Sequence, residues 1–293
     1  MYEKEIEEAQ SAARKAGALI LEYYAKEIIA EEKLGIDNFY EPVTEADRMA
    51  SRVIVDSLSA AFPDDAVLSE EEKDDPIERL TKKRTWIVDP IDGTAGFVQK
   101  DGDFAVHIGL AEDGDPIVGI VYLPDFDVMY YASKGQGSYV VRDGETAKLA
   151  VSGKDSFAQM KLALTRHHWS NRMNRVIKEF GFKNHCRRGS VGLKIGLIAE
   201  TKCDIYIHLS PRTKIWDTCA PQIILEEAGG KLTDIFGSRM RYDIADLQNH
   251  NGIVASNGVK HEEVIKRLKP ILTEFGRQRI TAGRRTSTKQ KTS

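Results

Sequence analysis

Asp89 and Asp92 stand three residues apart across Pro90 and Ile91, and Gly93-Thr94 follows at once. Trp86, Ile87 and Val88 before them read as the end of a buried strand. Two carboxylates so close repel unless a proton or a cation sits between them. Glu70, in the acid-rich "LSEEE" of residues 68–72, and Asp217, in "WDTCAP", also terminate apolar runs. Any one of these acids could cap a helix or solvate a turn, and Asp-Gly is a frequent turn pair. Together, carboxylates on converging strand ends supply the oxygen ligands that a hard divalent ion such as Mg2+ needs. A Gly-Thr turn opening a short helix offers free backbone N–H groups that suit a phosphate. Cations beside a phosphate cradle point to metal-assisted phosphoryl transfer to water.

The elements that must position these residues follow from the spacing of apolar positions. Residues 3–32 read as one long helix, with Ile6, Ala9, Ala13, Ala16, Ile20, Tyr23 and Tyr24 on one side. Gly35 and Pro42 break "KLGIDNFYEPV". A second helix spans about 44–61, with Thr44 and Asp47 in the Thr-x-x-acid capping pattern. A short strand at 66–72, a charged loop at 73–84 and the Trp86 strand come next. Strands at 104–111, 116–123, 128–133 and 137–142 are punctuated by Gly114, Pro124-Asp125, Gly135 and Gly144, which suggests an antiparallel sheet. After about residue 155 strands and helices alternate: strand 160–165, helix "NRMNRVIKEFG", helix "VGLKIGLIAE", strand "CDIYIHL", helix "WDTCAPQIILEEAGG", strands "GKLTDI" and "GIVASN", and helix "HEEVIKRLKPILTEF". Three units result: an α+β half at 1–155, an α/β half at 156–275, and a basic, Ser/Thr-rich tail at 276–293 without apolar periodicity, read as disordered.

The chain has 293 residues, 42 basic and 45 acidic, and a formal net charge of −3. Bulk charge therefore makes no case for a nucleic-acid or membrane partner. Cys186, Cys203 and Cys219 are odd in number and lack CxxC spacing, which speaks against a disulfide framework and fits a reducing compartment. The histidines, His167 and His168 at a strand end or loop among them, show no tight zinc-ligand spacing. The polar "MYEKEIEEAQ" is no signal peptide, and no apolar run of about 18 residues is present, so a cytoplasmic location is expected.

"EPVTEAD" (41–47), "LSEEE" (68–72), "DPIDGT" (89–94) and "WDTCAPQIILEEAGG" (216–230), in that order, resemble the signatures of the inositol monophosphatase superfamily of lithium-sensitive, Mg2+-dependent phosphatases. The resemblance implies a layered αβαβα sandwich of the inositol monophosphatase/fructose-1,6-bisphosphatase type, with the site between the two halves. It implies two or three Mg2+ ions held by the side chains of Glu70, Asp89, Asp92 and Asp217 and the carbonyl of Ile91. It also implies a catalytic set of Asp47, Thr94 and Glu70 around the attacking water, and the N–H groups of Gly93 and Thr94 on the phosphate.

For the substrate, Ser210 stands where the inositol-phosphate branch commonly has an acid contacting sugar hydroxyls. "CDIYIHLSPRTKIWDTCAP" resembles instead the 3'(2'),5'-bisphosphate nucleotidases, which hydrolyse adenosine 3',5'-bisphosphate from sulfate assimilation. "GSVGLK" (189–194) has one residue more than that branch's GSSLK form, and His208 stands where arginine is frequent. Ser190, Lys194, His208 and Arg212 are the candidate substrate contacts, with Arg187 and Arg188 adding local positive charge. The expected partner is a small phosphorylated molecule, with no specific nucleic acid and no membrane, and the family often forms homodimers. A sugar-phosphate phosphatase and a non-catalytic cation- or nucleotide-binding protein are the alternatives.

Overall fold

A computed structural model describes residues 2–166 and 171–281. The expectations for His167, His168 and the tail from 282 onward lie outside these residues. Helix α1 (Glu3–Tyr24) ends earlier than the helical spacing suggests. The chain then forms a hairpin of β1 (Ala30–Leu34) and β2 (Tyr40–Thr44), with Leu34 opposite Tyr40, before α2 (Glu45–Ala61). The Ala, Glu and Lys residues of β1 favour helix locally. Tertiary ion pairs override them: Arg48 Nη2 lies 2.5 Å from Glu31 and Lys33 Nζ 2.9 Å from Glu70.

The first large sheet is built from β3 (Ala66–Ser69), β4 (Arg84–Asp92), β5 (Ala105–Glu112), β6 (Asp115–Leu123), β7 (Val128–Ser133), β8 (Gly137–Arg142) and β9 (Glu145–Lys148), side by side in that order. β3 and β4 run parallel and every later pair antiparallel. Two short helices interrupt this run, α3 (Pro76–Arg79) in the charged loop and α4 (Thr94–Val98) directly after β4.

The second half supplies β10 (Lys161–Thr165), α5 (Asn171–Phe180), β11 (Asn184–Arg188), α6 (Val191–Ala199), β12 (Ile205–His208), α7 (Ile215–Glu227), β13 (Lys231–Thr233), β14 (Ile253–Ser256) and α8 (His261–Glu274). Its sheet has the order β11-β10-β12-β14-β13, parallel around β10 and antiparallel around β14.

Strand alternation shows the layers, because successive side chains point to opposite faces. Trp86 and Val88 join α1 and α2 in one core, whereas Ile87 between them joins Trp216 and Cys219 of α7 in another. In the second sheet, Tyr206 packs with α6 and α7, while Ile205 and Ile207 pack with Val176 of α5 and Leu268 of α8. The order is therefore α1/α2, seven-stranded sheet, α6/α7, five-stranded sheet, α5/α8. This is the expected αβαβα sandwich.

The central pair is tightly seated. A Cβ on Gly109 would stand 2.6 Å from Cys219 Sγ, and one on Gly119 would stand 2.5 Å from the Ala220 carbonyl oxygen. The glycines let α7 lie almost on the sheet backbone. Cys186, Cys203 and Cys219 are free thiols, with Cys186 and Cys203 Sγ 2.8 Å apart. Among the described residues no helix is long and apolar enough to cross a membrane.

Candidate metal centre and active site

In a regular strand, residues i and i+3 point to opposite faces, so Asp89 and Asp92 should not meet. β4 breaks that rule. Asp89 pairs with His107 of β5, but Asp92 pairs with Ala105, one residue out of register. The extra residue is a bulge, which re-aims side chains at a strand end. Pro90 is tolerated there because it has no N–H to give to the ladder. The bulge turns Asp92 to the side of Asp89. Oxygens of Asp89, Asp92 and Asp217 then lie within 4.8 Å of one another.

Each acid of this triangle is held differently. Asp89 Oδ1 accepts the Ile91 N–H at 3.1 Å. Burial, then the negative charges of Glu70, Asp92 and Asp217, push its carboxyl well above the usual range. Asp217 sits in the first turn of α7, and its Oδ2 accepts the Lys214 N–H at 2.5 Å. Burial and Asp92 raise it as well. Burial also works against the charge of Asp92, but His107, Lys194 and Ser190 outweigh it and hold this carboxyl low. Asp92 Oδ2 accepts from Ser190 Oγ at 2.5 Å and from the Val191 and Gly192 amides at 2.5 and 3.1 Å. Those donors form the N-terminus of α6, where orphan N–H groups and the helix dipole favour an anion.

Glu70 follows β3, and its N–H donates to Val88 O at 3.1 Å, which sets it beside β4. It stands outside the triangle and accepts Lys33 Nζ at 2.9 Å, while Lys33 also bonds Glu71. Burial disfavours the ammonium, but Glu70 and Glu71 overcome this and raise the Lys33 pKa. Burial and Glu70 lift Glu71 to about 7. Ile91 O accepts the Thr94 hydroxyl at 3.1 Å.

Gly93 adopts φ +94°, and a Cβ there would lie 2.6 Å from Asp103 O, so only glycine fits this turn into α4. Thr94 Oγ1 lies 3.3 Å from Asp47 Oδ1. The other oxygen of Asp47 accepts from Thr44 N at 2.8 Å and Thr44 Oγ1 at 2.6 Å, in the expected capping arrangement at the start of α2. Burial pushes the Asp47 carboxyl up to about 6, despite those two bonds.

The candidate substrate residues divide. Ser190 is buried and spends its hydroxyl on Asp92 and the Leu193 amide. Lys194 is 1% exposed. Its Nζ donates to Gly189 O at 2.6 Å and lies 4.8 Å from the centre of the Tyr206 ring. Burial lowers the Lys194 pKa to about 8. Both residues therefore brace the turn that holds Asp92. His208 Nδ1 pairs with Tyr206 Oη at 3.1 Å. Arg212 is exposed, with its guanidinium 4.1 Å from the Phe39 ring centre at the hairpin.

Spacing did not reveal Lys33, His107 or Lys214. Lys214 Nζ bonds Asp37 at 3.3 Å and Glu41 at 2.5 Å, tying the β1–β2 hairpin to the start of α7. Their partners are far away in sequence, so only the fold shows them.

Three carboxylates with oxygens within 4.8 Å of one another, Asp89 and Asp92 buried and Asp217 half-buried, need a proton or a cation between them. An all-oxygen donor set suits Mg2+. The inositol monophosphatase family profile matches residues 1–273. A 3'(2'),5'-bisphosphate nucleotidase CysQ of Aggregatibacter actinomycetemcomitans is 34% identical over 79% of this chain and 84% of its own. A fructose-1,6-bisphosphatase/inositol-1-monophosphatase of Thermotoga maritima is 31% identical over 90% of this chain and 95% of its own. Among solved structures, a T. maritima IMPase superposes with a TM-score of 0.74 at 28% identity, covering 91% of this chain and 97% of that one. CysQ from Bacteroides thetaiotaomicron gives 0.70 at 28% identity, covering 86% and 96%. The chain belongs to the inositol monophosphatase family and is a metal-dependent phosphatase.

Proposed function

We propose that the protein removes the 3'-phosphate of adenosine 3',5'-bisphosphate by direct in-line attack of water. The observation that carries this reading is its relatives: CysQ bisphosphate nucleotidases of A. actinomycetemcomitans and Escherichia coli K12 are each 34% identical over 79% and 78% of the chain.

Glu70, Asp89, Asp92, Asp217 and the Ile91 carbonyl would hold two or three Mg2+ ions. Bound there, Mg2+ would acidify a water and neutralise the phosphate oxygens and the departing alkoxide. The chain's own residues aim the water. Thr94 Oγ1 donates to the Asp47 carboxylate, which leaves its lone pair to accept a proton from the water. Asp47, with a pKa near 6, is ionised at neutral pH and takes the Thr94 hydroxyl proton as Thr94 Oγ1 takes one from the water. The first amides at Gly93 and Thr94, which no helix turn uses, bind the phosphate. Ser190 and Lys194 act from beneath by bracing the turn on Asp92. Arg212 and His208, on the segment before α7, are the proposed partners of the 5'-phosphate.

The test is phosphate release from adenosine 3',5'-bisphosphate, 3'-AMP, 5'-AMP, inositol 1-phosphate and fructose 1,6-bisphosphate in Mg2+. The bisphosphonucleotide should be turned over with the highest kcat/KM and leave 5'-AMP. Robust turnover of inositol 1-phosphate with none of the nucleotide would favour the sugar-phosphate reading, which the 31% identity to the T. maritima enzyme supports.

A further inference from the structure

Asp92 is gripped on one oxygen only. Ser190 Oγ and two α6 amides converge on Oδ2, and His107 Nε2 reaches the same oxygen obliquely at 3.1 Å. A carboxylate oxygen offers about two lone-pair directions, so the three hydrogen bonds from Ser190, Val191 and Gly192 saturate it, and His107 Nε2 stands against it without a hydrogen bond of its own. An oxygen of Asp92 lies within 4.8 Å of oxygens of Asp89 and Asp217.

His107 has no evident reason to be polar except this contact. It lies in the middle of β5, opposite Asp89, and is fully buried. Neither its Nδ1 nor its Nε2 makes a hydrogen bond among the described residues, although Nε2 lies 3.1 Å from Asp92 Oδ2. A buried imidazole with neither nitrogen hydrogen-bonded is costly, and an apolar side chain would fill the place more cheaply. The packing leaves it no freedom: a Cβ on Gly192 would stand 2.2 Å from Nε2. α6 thus presses the ring against Asp92 from one side, while β5 holds it from the other.

We infer that His107 is a positioning residue for the metal centre. With the first amides of α6 it occupies one oxygen of Asp92 and presents the other to the cation. The inference rests on Asp92 being a metal ligand. Groups behind a ligand commonly change metal affinity 10–100-fold when removed.

The experiment is Mn2+ binding to the whole purified chain, read as free Mn2+ by electron paramagnetic resonance, with thermal unfolding measured alongside. His107→Ala should weaken Mn2+ binding by about tenfold or more. His107→Asn, which keeps a side-chain N–H donor, should recover most of that loss. Ile108→Val, a neighbouring core change, should leave binding within about twofold, although it too lowers stability. If His107→Ala binds Mn2+ as the wild type does while Asp92→Asn has lost it, the positioning role is wrong and the ligand stands. If Asp92→Asn binds Mn2+ normally, the ligand assignment itself fails. Should His107→Ala not fold, Gly192→Ala, which forces a methyl against Nε2, must show the Mn2+ deficit. Normal affinity in folded Gly192→Ala overturns the inference.

Discussion

In the proposed mechanism Thr94 and Asp47 would divide one task. The hydroxyl sits between Ile91 O and Asp47 Oδ1, at 3.1 and 3.3 Å, and can give its proton to only one of them at a time. An ionised Asp47 would draw that proton and free the lone pair that, in the proposed mechanism, orients water. Burial holds the Asp47 pKa near 6, so the base form is lost as pH falls through that value. kcat/KM should therefore drop about tenfold per pH unit below roughly pH 6. Thr94→Ala should lower kcat about a hundredfold with little change in KM, the usual scale for a positioned proton-transfer group. A pH–rate profile and steady-state kinetics on the same substrate check both. A Thr94→Ala effect on KM alone would mean that the hydroxyl only shapes the turn.

At the scale of elements, three devices build the site. The bulge in β4 turns Asp92 toward Asp89, the α6 N-terminus receives Asp92, and α7 delivers Asp217 across the layer boundary. The last depends on Gly109 and Gly119, where the sheet has no side chains to keep the helix away. Gly119→Val would push a branched side chain into Ala220 and Ile223. Overpacking of this kind costs about 1–3 kcal/mol. Because α7 would have to lift, its Asp217 would move relative to β4, and the variant should need more Mg2+ for half-maximal activity. Urea denaturation and Mg2+ titration measure the two effects. Destabilisation with an unchanged Mg2+ requirement would show that Asp217 is placed independently of the helix seat.

For the whole molecule, the acid cluster joins two halves, and it stores repulsion when no cation is present. Asp89 and Asp217 are raised well above the ordinary value of 3.8, so the folded chain keeps protons that the unfolded chain has released. Stability from this source is fully present below about pH 4 and is lost as pH rises through the raised folded values. Mg2+ reverses the sign, because it binds the carboxylates in their deprotonated form. At a hundred times its Kd a ligand adds about 2.7 kcal/mol. In chelator-treated protein these two groups should therefore lower Tm as pH rises above the ordinary carboxylate range. Added Mg2+ should raise Tm more at higher pH. Scanning calorimetry with and without Mg2+ checks this, and an equal Mg2+ shift at lower and higher pH would count against the shared cation site.

The chain alone determined the parts whose cause is local. The apolar periodicities of α2, β5 through β8, α7 and α8 mark those elements, because each buries one face or lies wholly inside. Thr44 with Asp47 marks the start of α2, since a capping pair acts within four residues. The acids of "DPIDGT" stand out because two carboxylates that close require a reason. Tertiary structure decided what depends on distant partners. The start of β1 looks helical by composition, and the hairpin it forms with β2 is pinned by Arg48, Glu70 and Lys214, from other parts of the chain. The short, polar β9 and β11 are strands only because β8 and β10 lie beside them. Ser190 and Lys194 look like substrate contacts in sequence, yet both turn inward, because the carboxylate of Asp92 arrives about a hundred residues earlier in the chain and takes the α6 N-terminus. Which oxygen of Asp92 is left for a cation is a matter of ångströms between β5, α6 and β4, and spacing along a chain carries no such distance.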